Sequence, residues 1–319
     1  MNIVNNSDLE NIPLNNSFPS CGILMSSYNG EKFIGEQIES ILAQIGVNIH
    51  IIVRDDGSSD NTVSIIKKYA EQYQGKIQII QGKNVGIHKS FKYLMESTDD
   101  AYDYIAFSDQ DDIWDPDKMR YAILSLEFYN SDLYYCASRL VDKEGRELGI
   151  STENIEKYKL YSKDFNIIFC PGAQGCTMVM RRKLYTIMRN RGIPQDFGHD
   201  TWIPIVANLF YDTVYDPNTH MKYRQHGGSW TGNRSNRISQ RCIELKHYVK
   251  GLGRYRSLAK FIISSYGDLL SSEQSNAIHG IADTNLRITD KISNLRMFDY
   301  RKYGWKENTV FRLYYIMHG

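Results

Sequence analysis

Over residues 21–126, short apolar runs alternate with stretches whose apolar residues recur at helical spacing. The runs at 22–25, 49–53, 77–80 and 104–107 have the length and the β-branched or aromatic content of buried strands. Between them, 33–44, 61–73 and 88–95 carry apolar residues three and four apart, predicting helices. Strands joined by helices in this way predict a largely parallel sheet. Each strand run ends in a polar, acidic or Gly-containing loop: Ser27-Tyr28-Asn29-Gly30, Asp55-Asp56-Gly57-Ser58-Ser59-Asp60, Asn84-Val85-Gly86 and Ser108-Asp109-Gln110-Asp111-Asp112. Open α/β sheets bind ligands beyond the carboxyl ends of their strands, so these loops are expected to converge on one crevice.

Beyond Asp115-Pro116-Asp117, which has the proline and acids of a helix start, the pattern is less regular. Strands are predicted at 133–140, 177–180 and 221–224, and helices at 181–189 and 201–209. No internal repeat is present. From Gly232 the character changes again. Leu245, Tyr248, Val249, Leu252, Tyr255, Ala259 and Ile262 form a helical apolar stripe, accompanied by eight basic residues between Arg234 and Lys260 and one acid, Glu244. The predicted organisation is a polar, Asn-rich lead (1–20), an α/β domain (21–232, with a ligand-binding part to about 126 and a second part from 127), and a helical, basic C-terminal extension (233–319).

Composition narrows the function classes. Of 319 residues, 38 are Lys or Arg and 37 Asp or Glu, a net charge of +1. That balance lacks the global field of a nucleic-acid binder, so no nucleic-acid partner is expected. The five cysteines are scattered without zinc-site spacing, and read as reduced thiols of a cytosolic protein. The lead does not have the form of a secretory signal, and no apolar run reaches the roughly 18–20 residues that cross a bilayer. The basic stripe admits two readings: a helix lying on the anionic inner face of the membrane through 234–262, or one packed on the core or on another subunit.

Chemistry concentrates at the strand ends. Asp109, Asp111 and Asp112 follow an apolar strand, and like charges crowded there are costly unless a cation joins them. A solvated turn capping the helix at Pro116 would explain an isolated Asp-x-Asp equally well; the neighbouring loops favour a metal and diphosphate site. The residue order excludes an EF-hand. Asp55 and Asp56 end the second strand, where a carboxylate can accept the N3–H that uracil and thymine carry and adenine lacks. Which of the two does so is open; Asp60 is read only as a cap for the next helix.

Taken together, Ser27-Tyr28-Asn29-Gly30, Asp55-Asp56-Gly57-Ser58 and Ser108-Asp109-Gln110-Asp111-Asp112-Ile113-Trp114 resemble the family-2 glycosyltransferases of GT-A fold, most closely bacterial rhamnosyltransferases of cell-wall and capsule assembly. Asn84-x-Gly86-x-x-Lys89-Ser90-Phe91, Gly198-His199-Asp200-Thr201-Trp202 and Tyr223-Arg224-Gln225-His226 are similar to further segments of those enzymes, in the same order. The resemblance spans about 21–232. It implies an α/β GT-A catalytic domain that moves a sugar, with inversion, from a nucleotide diphosphate to a hydroxyl of a growing glycan.

Position by position, the resemblance implies Asp200 as the base that deprotonates the acceptor. Asp109, Asp111 and His226 become ligands of Mg or Mn. Ser27, Tyr28, Asp55, Asp56, Asn84, Lys89, Asp109 and Arg224 would hold the donor, with Arg224 on phosphate. His199 and Trp202 would face the acceptor. Cys170 to Cys176 matches the segment leading to the acceptor side, its glycines allowing close backbone approach. A dTDP-rhamnose donor is the first choice and a UDP-hexose the second. The acceptor would be a glycan, including a lipid-linked one, and the protein cytoplasmic, extending to the inner membrane face. Sugar nucleotidyl transfer is the rival chemistry, but 27–31 lacks the Gly-rich basic first loop of those enzymes; a non-catalytic binder on the same fold is the third reading.

Overall fold

The computed structural model describes residues 2–5, 9, 18–154, 173–194, 197–225, 253, 255–283 and 287–297. In chain order the elements are β1 (Asn2–Ile3), β2 (Ser20–Ser27), α1 (Ile34–Leu42), β3 (Asn48–Asp55), α2 (Thr62–Gln72), β4 (Ile77–Gln81), α3 (Ile87–Ser97), β5 (Tyr104–Ser108), β6 (Ile113–Trp114), α4 (Lys118–Phe128), β7 (Leu133–Val141), β8 (Glu147–Ser151), β9 (Val179–Arg181), α5 (Arg182–Arg191), α6 (His199–Phe210) and β10 (Thr213–Arg224). Three helices follow: α7 (255–266), α8 (Ser272–Ala282) and α9 (Ile288–Met297).

The strands form a 10-stranded sheet whose main path runs β1-β10-β7-β9-β5-β2-β3-β4. Along that path the pairings are parallel except where β9 runs antiparallel to both β5 and β7. The consequence is positional. The carboxyl ends of β2, β3, β4, β5, β7 and β10 share one edge, and the chain entering β9 arrives at the same edge.

Strand alternation divides the core by face. Leu24, Ile52, Ile105 and Phe107 point into a layer with α3, α5, α6, α7 and α8. Ile23, Met25, Ile51, Val53 and Ala106 point into the opposite layer with α1, α2 and α4. Sheet residues alternating between two apolar layers give a three-layer α/β/α arrangement, as the sequence pattern predicts.

Two features depart from the expectations, and a third separates the two readings left open for the C-terminal segment. The lead is not purely polar solvent-facing chain, because Asn2–Ile3 pair with β10 and Val4 and Leu9 are buried. β10 begins at Thr213, well before the predicted 221, since Asp216, Pro217 and Asn218 interrupt its apolar pattern, and the register shifts there as well. The basic stripe is the third. Leu258, Ala259 and Ile262 are fully buried in the layer beneath α6, and α7 is tied there by Arg191 Nη1 donating to Ser265 O at 2.7 Å and by Phe210 stacking on Tyr266 at 5.4 Å. Over 255–262 the apolar face is therefore occupied by the core and not free for a membrane; 234–252 lie outside the described residues. Among the described residues, no helix is long and apolar enough to cross a membrane.

Trp202 is a further correction. Expected to wall the acceptor site, it is only 1% exposed and packs edge-on to Phe261 of α7. The helical spacing that carries Asp200 to the crevice turns the residue two positions on toward the core. Trp202→Ala should destabilise the protein by about 3–5 kcal/mol in urea unfolding, as large core truncations do. A loss below about 1 kcal/mol together with a raised acceptor KM would return Trp202 to the acceptor wall.

Candidate active site

Two adjoining cavities open at the carboxyl edge of the sheet. The larger, about 340 Å³, is lined by residues including Ser26, Tyr28, Asp56, Asn84, Asp109 and Asp111. The smaller, about 110 Å³, is lined by Gln174, Gly175, Cys176, His199 and Asp200 among others. Ile87, Asp109 and Tyr223 belong to both. A still larger concavity, about 540 Å³, lies at the opposite edge between Asp103 and Ile187, but its Arg181 and Arg182 are paired with Glu127 and Asp103. The carboxylates gather at the first two cavities.

The loop after β3 holds the paired aspartates differently. Asp55 accepts the backbone N–H groups of Gly57 and Ser58 and the Ser58 hydroxyl, so its carboxylate builds the turn. Asp56 accepts from Arg54 Nη1 at 2.5 Å and from the N–H groups of Val85 and Gly86 at 2.9 and 2.8 Å. It nevertheless lines the larger cavity, and a carboxylate has acceptor sites beyond those three. Asp60, read only as a cap, stands one residue before the N-cap Asn61; it accepts from Thr62 N at 3.0 Å and also ties the first loop by accepting from Glu31 N at 3.1 Å. Ser27 was expected to touch donor, yet it is 1% exposed while Ser26 lines the cavity; alternate side chains of a strand face opposite ways. Tyr28 and Asn84 line the cavity, whereas Lys89 is solvent-exposed and lines neither cavity.

Gln110, the unremarked middle residue of Asp-x-Asp, clamps two of these loops. Its Oε1 accepts Tyr28 N–H at 2.8 Å and its Nε2 donates to Tyr28 O at 3.0 Å. Gly30 makes room for it, because a Cβ there would overlap the Gln110 amide. Arg224 locks the acidic loop from the other side. Its backbone N–H donates to Asp112 Oδ1 at 3.2 Å, its Nε to Asp111 O at 2.8 Å, its Nη1 to Lys143 O at 2.8 Å and its Nη2 to Glu36 at 2.6 Å. Expected to pair with phosphate, it is 3% exposed and lines the larger cavity while these donors hold the acidic loop, Lys143 and Glu36.

The carboxylates themselves differ. Burial, then repulsion from Asp111 and Asp200, pushes the Asp109 carboxyl up to about 7. Asp112 is buried beneath it and held well above the usual carboxylate range by burial and by Asp111 and Asp109. Asp109, Asp112 and Cys176 bring ligand atoms within 4.8 Å of one another. Burial also holds the Cys176 thiol well up, so it is protonated and a poor partner for a hard cation. Lys118, with no exposure, lies behind this cluster, its ammonium 3.4 Å from the Trp114 ring centre; burial lowers it to about 8. A divalent cation fits the donor set at Asp109 and Asp111, since it would relieve the mutual repulsion that raises Asp109. His226, the third expected ligand, lies outside the described residues, as do Cys170, Pro171 and Gly172.

A cation held at Asp109 and Asp111 would bind with a defined pH dependence. An acid whose folded pKa lies above its unfolded value of about 4 holds its proton more tightly when folded. The metal-free protein accordingly loses that contribution to stability as pH rises from about 4 through about 7. Cation binding must displace the proton, so Mn affinity should climb across the same range and level off above it. Calorimetry in two buffers of different ionisation enthalpy should detect proton release at pH 6 and little at pH 8.5. Equal release at both would disconnect Asp109 from the metal.

Asp200 sits in the first turn of α6. Beside it, the His199 ring is wedged against Phe91 and Phe107 at 3.9 and 4.7 Å, and burial lowers it to about 4, so it is neutral. A Cβ at Gly175 would overlap the His199 ring, and one at Gly198 would overlap Asp200 and His88. Backbone therefore approaches these side chains closely, which glycine alone permits.

The model of glycosyl transferase family 2 matches residues 22–187. The chain belongs to that family. This glycosyltransferase is 33% identical over 218 residues to dTDP-rhamnosyl transferase RfbG of Shigella flexneri, covering 65% of this chain and 73% of that protein. Among solved structures it is similar to Staphylococcus aureus TarS 1–349 in complex with UDP-GlcNAc (TM-score 0.59, 16% identity, 93% of this chain and 90% of that one). It is also similar to the mannosyltransferase PcManGT of Pyrobaculum calidifontis in complex with GDP-Man and Mn2+ (TM-score 0.53, 14% identity, 98% and 91%). The fold of the glycosyltransferase is thus GT-A, with helices added at its C-terminus.

Proposed function

We propose that this glycosyltransferase is metal-dependent and inverting, and that it moves L-rhamnose from dTDP-rhamnose to a hydroxyl of a growing cell-surface glycan. The observation that carries the reading is the meeting of two cavities at Asp109, one bordered by Asp56, Asn84 and Asp111 and the other by Asp200. A nucleotide diphosphate suits the larger: Asp56 accepts the pyrimidine N3–H and Tyr28 borders the base. The smaller receives the acceptor hydroxyl beside a carboxylate.

In the reaction, Asp200 takes the proton of the acceptor hydroxyl as its oxygen bonds to the anomeric carbon. The bond from that carbon to the diphosphate oxygen breaks on the opposite face, so configuration inverts. Asp109 and Asp111 would hold a divalent ion, which when bound would supply charge to stabilise the departing diphosphate. Gln110 and Arg224 keep the two acidic side chains on a fixed loop, which is what positioning catalysis demands.

The choice of rhamnose rests on the named activity of the Shigella relative; a UDP-hexose is the alternative, supported by the UDP-GlcNAc complex of the TarS structure. The test is a panel of dTDP-rhamnose, UDP-glucose, UDP-GlcNAc and GDP-mannose with Mn or Mg, read as nucleoside diphosphate release. Fastest release from dTDP-rhamnose is expected. Faster turnover of a UDP-sugar selects the alternative, and pyrophosphate as the product would replace glycosyl transfer with nucleotidyl transfer.

A further inference from the structure

The small cavity contains a polar group that the mechanism above leaves idle. Gln174 is 9% exposed and lines the cavity with Asp200, yet its Nε2 has no hydrogen-bond partner among the described residues. The same holds for both ring nitrogens of its neighbour His199, which is 7% exposed. Buried polar groups are nearly always satisfied, and one on a residue that lines a cavity is placed to take its partner from what occupies that cavity.

Gln174 is set from behind. Ser138 Oγ donates to Gln174 Oε1 at 2.8 Å, and Ser138 N donates to Thr152 Oγ1 at 2.8 Å. Ser138 and Thr152 are themselves buried. With its carbonyl oxygen engaged by that hydroxyl, the amide keeps an unpartnered, buried NH2 group at the wall of the cavity. The cavity, about 110 Å³, has room for the equivalent of roughly three to four waters at about 30 Å³ each. That is the edge of one sugar ring. The nucleotide-facing residues Tyr28, Asp56 and Asn84 border only the other cavity.

We propose that Gln174 is a specificity-determining residue for the acceptor: its Nε2 donates a hydrogen bond to the oxygen of a hydroxyl neighbouring the one that attacks, with Ser138 as the positioning residue behind it. The inference rests on the transfer reading given above. It explains why this corner is built from an amide rather than a further carboxylate. A third acid beside Asp109 and Asp200 would add repulsion, whereas a neutral donor selects a hydroxyl without altering the base.

The test uses full-length protein with UDP and Mg, and the methyl glycosides of L-rhamnose, D-glucose and D-galactose as probes. The Gln174 side-chain amide resonance is assigned by its loss in Gln174→Leu. At least one glycoside is expected to shift it. With that glycoside as acceptor, Gln174→Leu should raise the acceptor KM about tenfold, the scale of one hydrogen bond, with kcat and donor KM changed less than about twofold. Ser138→Ala, which keeps the amide but frees its orientation, should raise the same KM by a smaller factor. An amide resonance that no glycoside moves would overturn the assignment even if transfer proceeds, as would a rise in donor KM instead of acceptor KM. A shifted resonance without turnover of any nucleotide sugar would remove the transfer reading and leave the Gln174 contact standing.

Discussion

Asp200→Asn should lower glycosyl transfer by about 10²–10⁴-fold, the usual contribution of a positioned general base, while leaving nucleotide affinity within about twofold. The substitution retains size and hydrogen-bonding shape but removes the ability to take a proton at neutral pH. Asp200 borders the smaller cavity and not the larger, so the donor should bind as before. It also repels Asp109; neutralising it should bring the Asp109 carboxyl down and, if anything, strengthen metal binding. Single-turnover transfer from dTDP-rhamnose and calorimetry with dTDP and Mn separate the two effects. Unchanged transfer removes Asp200 from the mechanism. A parallel loss of nucleotide binding would instead make it part of the donor site.

Asp111→Ala is the second large effect: metal-dependent dTDP or UDP binding should vanish, with affinity in Mn falling to its value in EDTA. Two ties of this loop do not use the Asp111 side chain: Arg224 Nε holds the Asp111 carbonyl, and the Gln110 amide holds Tyr28 on the neighbouring loop. Thermal unfolding measured beside binding separates the metal effect from the structural one: loss of binding with the unfolding temperature retained reports on the carboxylate. Binding that persists with its metal dependence intact would move the cation elsewhere, toward the deeper Asp109, Asp112 and Cys176 group. The two substitutions divide the reaction between them: one should abolish donor capture, the other chemistry on a donor still bound.

Much of the fold was legible along the chain. The four strands between residues 20 and 108 and the helices between them appear within a few residues of the predicted positions, because apolar runs and helical spacing are local and strong there. Where polar residues interrupt an element, as at Asp216 to Asn218 inside β10, periodicity fails: the tertiary environment, with Tyr134, Asn218 and His220 around Asp216, satisfies a charge that the pattern reads as a loop.

The sequence by itself determined the family, the parallel sheet and the carboxylates at strand ends, for these follow from residue types at short spacing. Tertiary structure alone decided which member of each pair borders the larger cavity. Ser26 rather than Ser27 lines it, since a strand turns alternate side chains to opposite faces. Asp56 rather than Asp55 remains available, since the Asp55 carboxylate is engaged by the turn that follows it. Arg224 borders the larger cavity while bonded to Glu36 and Lys143, and Trp202 belongs to the core against Phe261, because these partners lie far along the chain. Gln174 is brought to Asp200 by the one antiparallel strand on the main path of the sheet, β9, which delivers its preceding loop to the carboxyl edge. Burial and orientation depend on contacts between residues distant in sequence, and no local pattern encodes them.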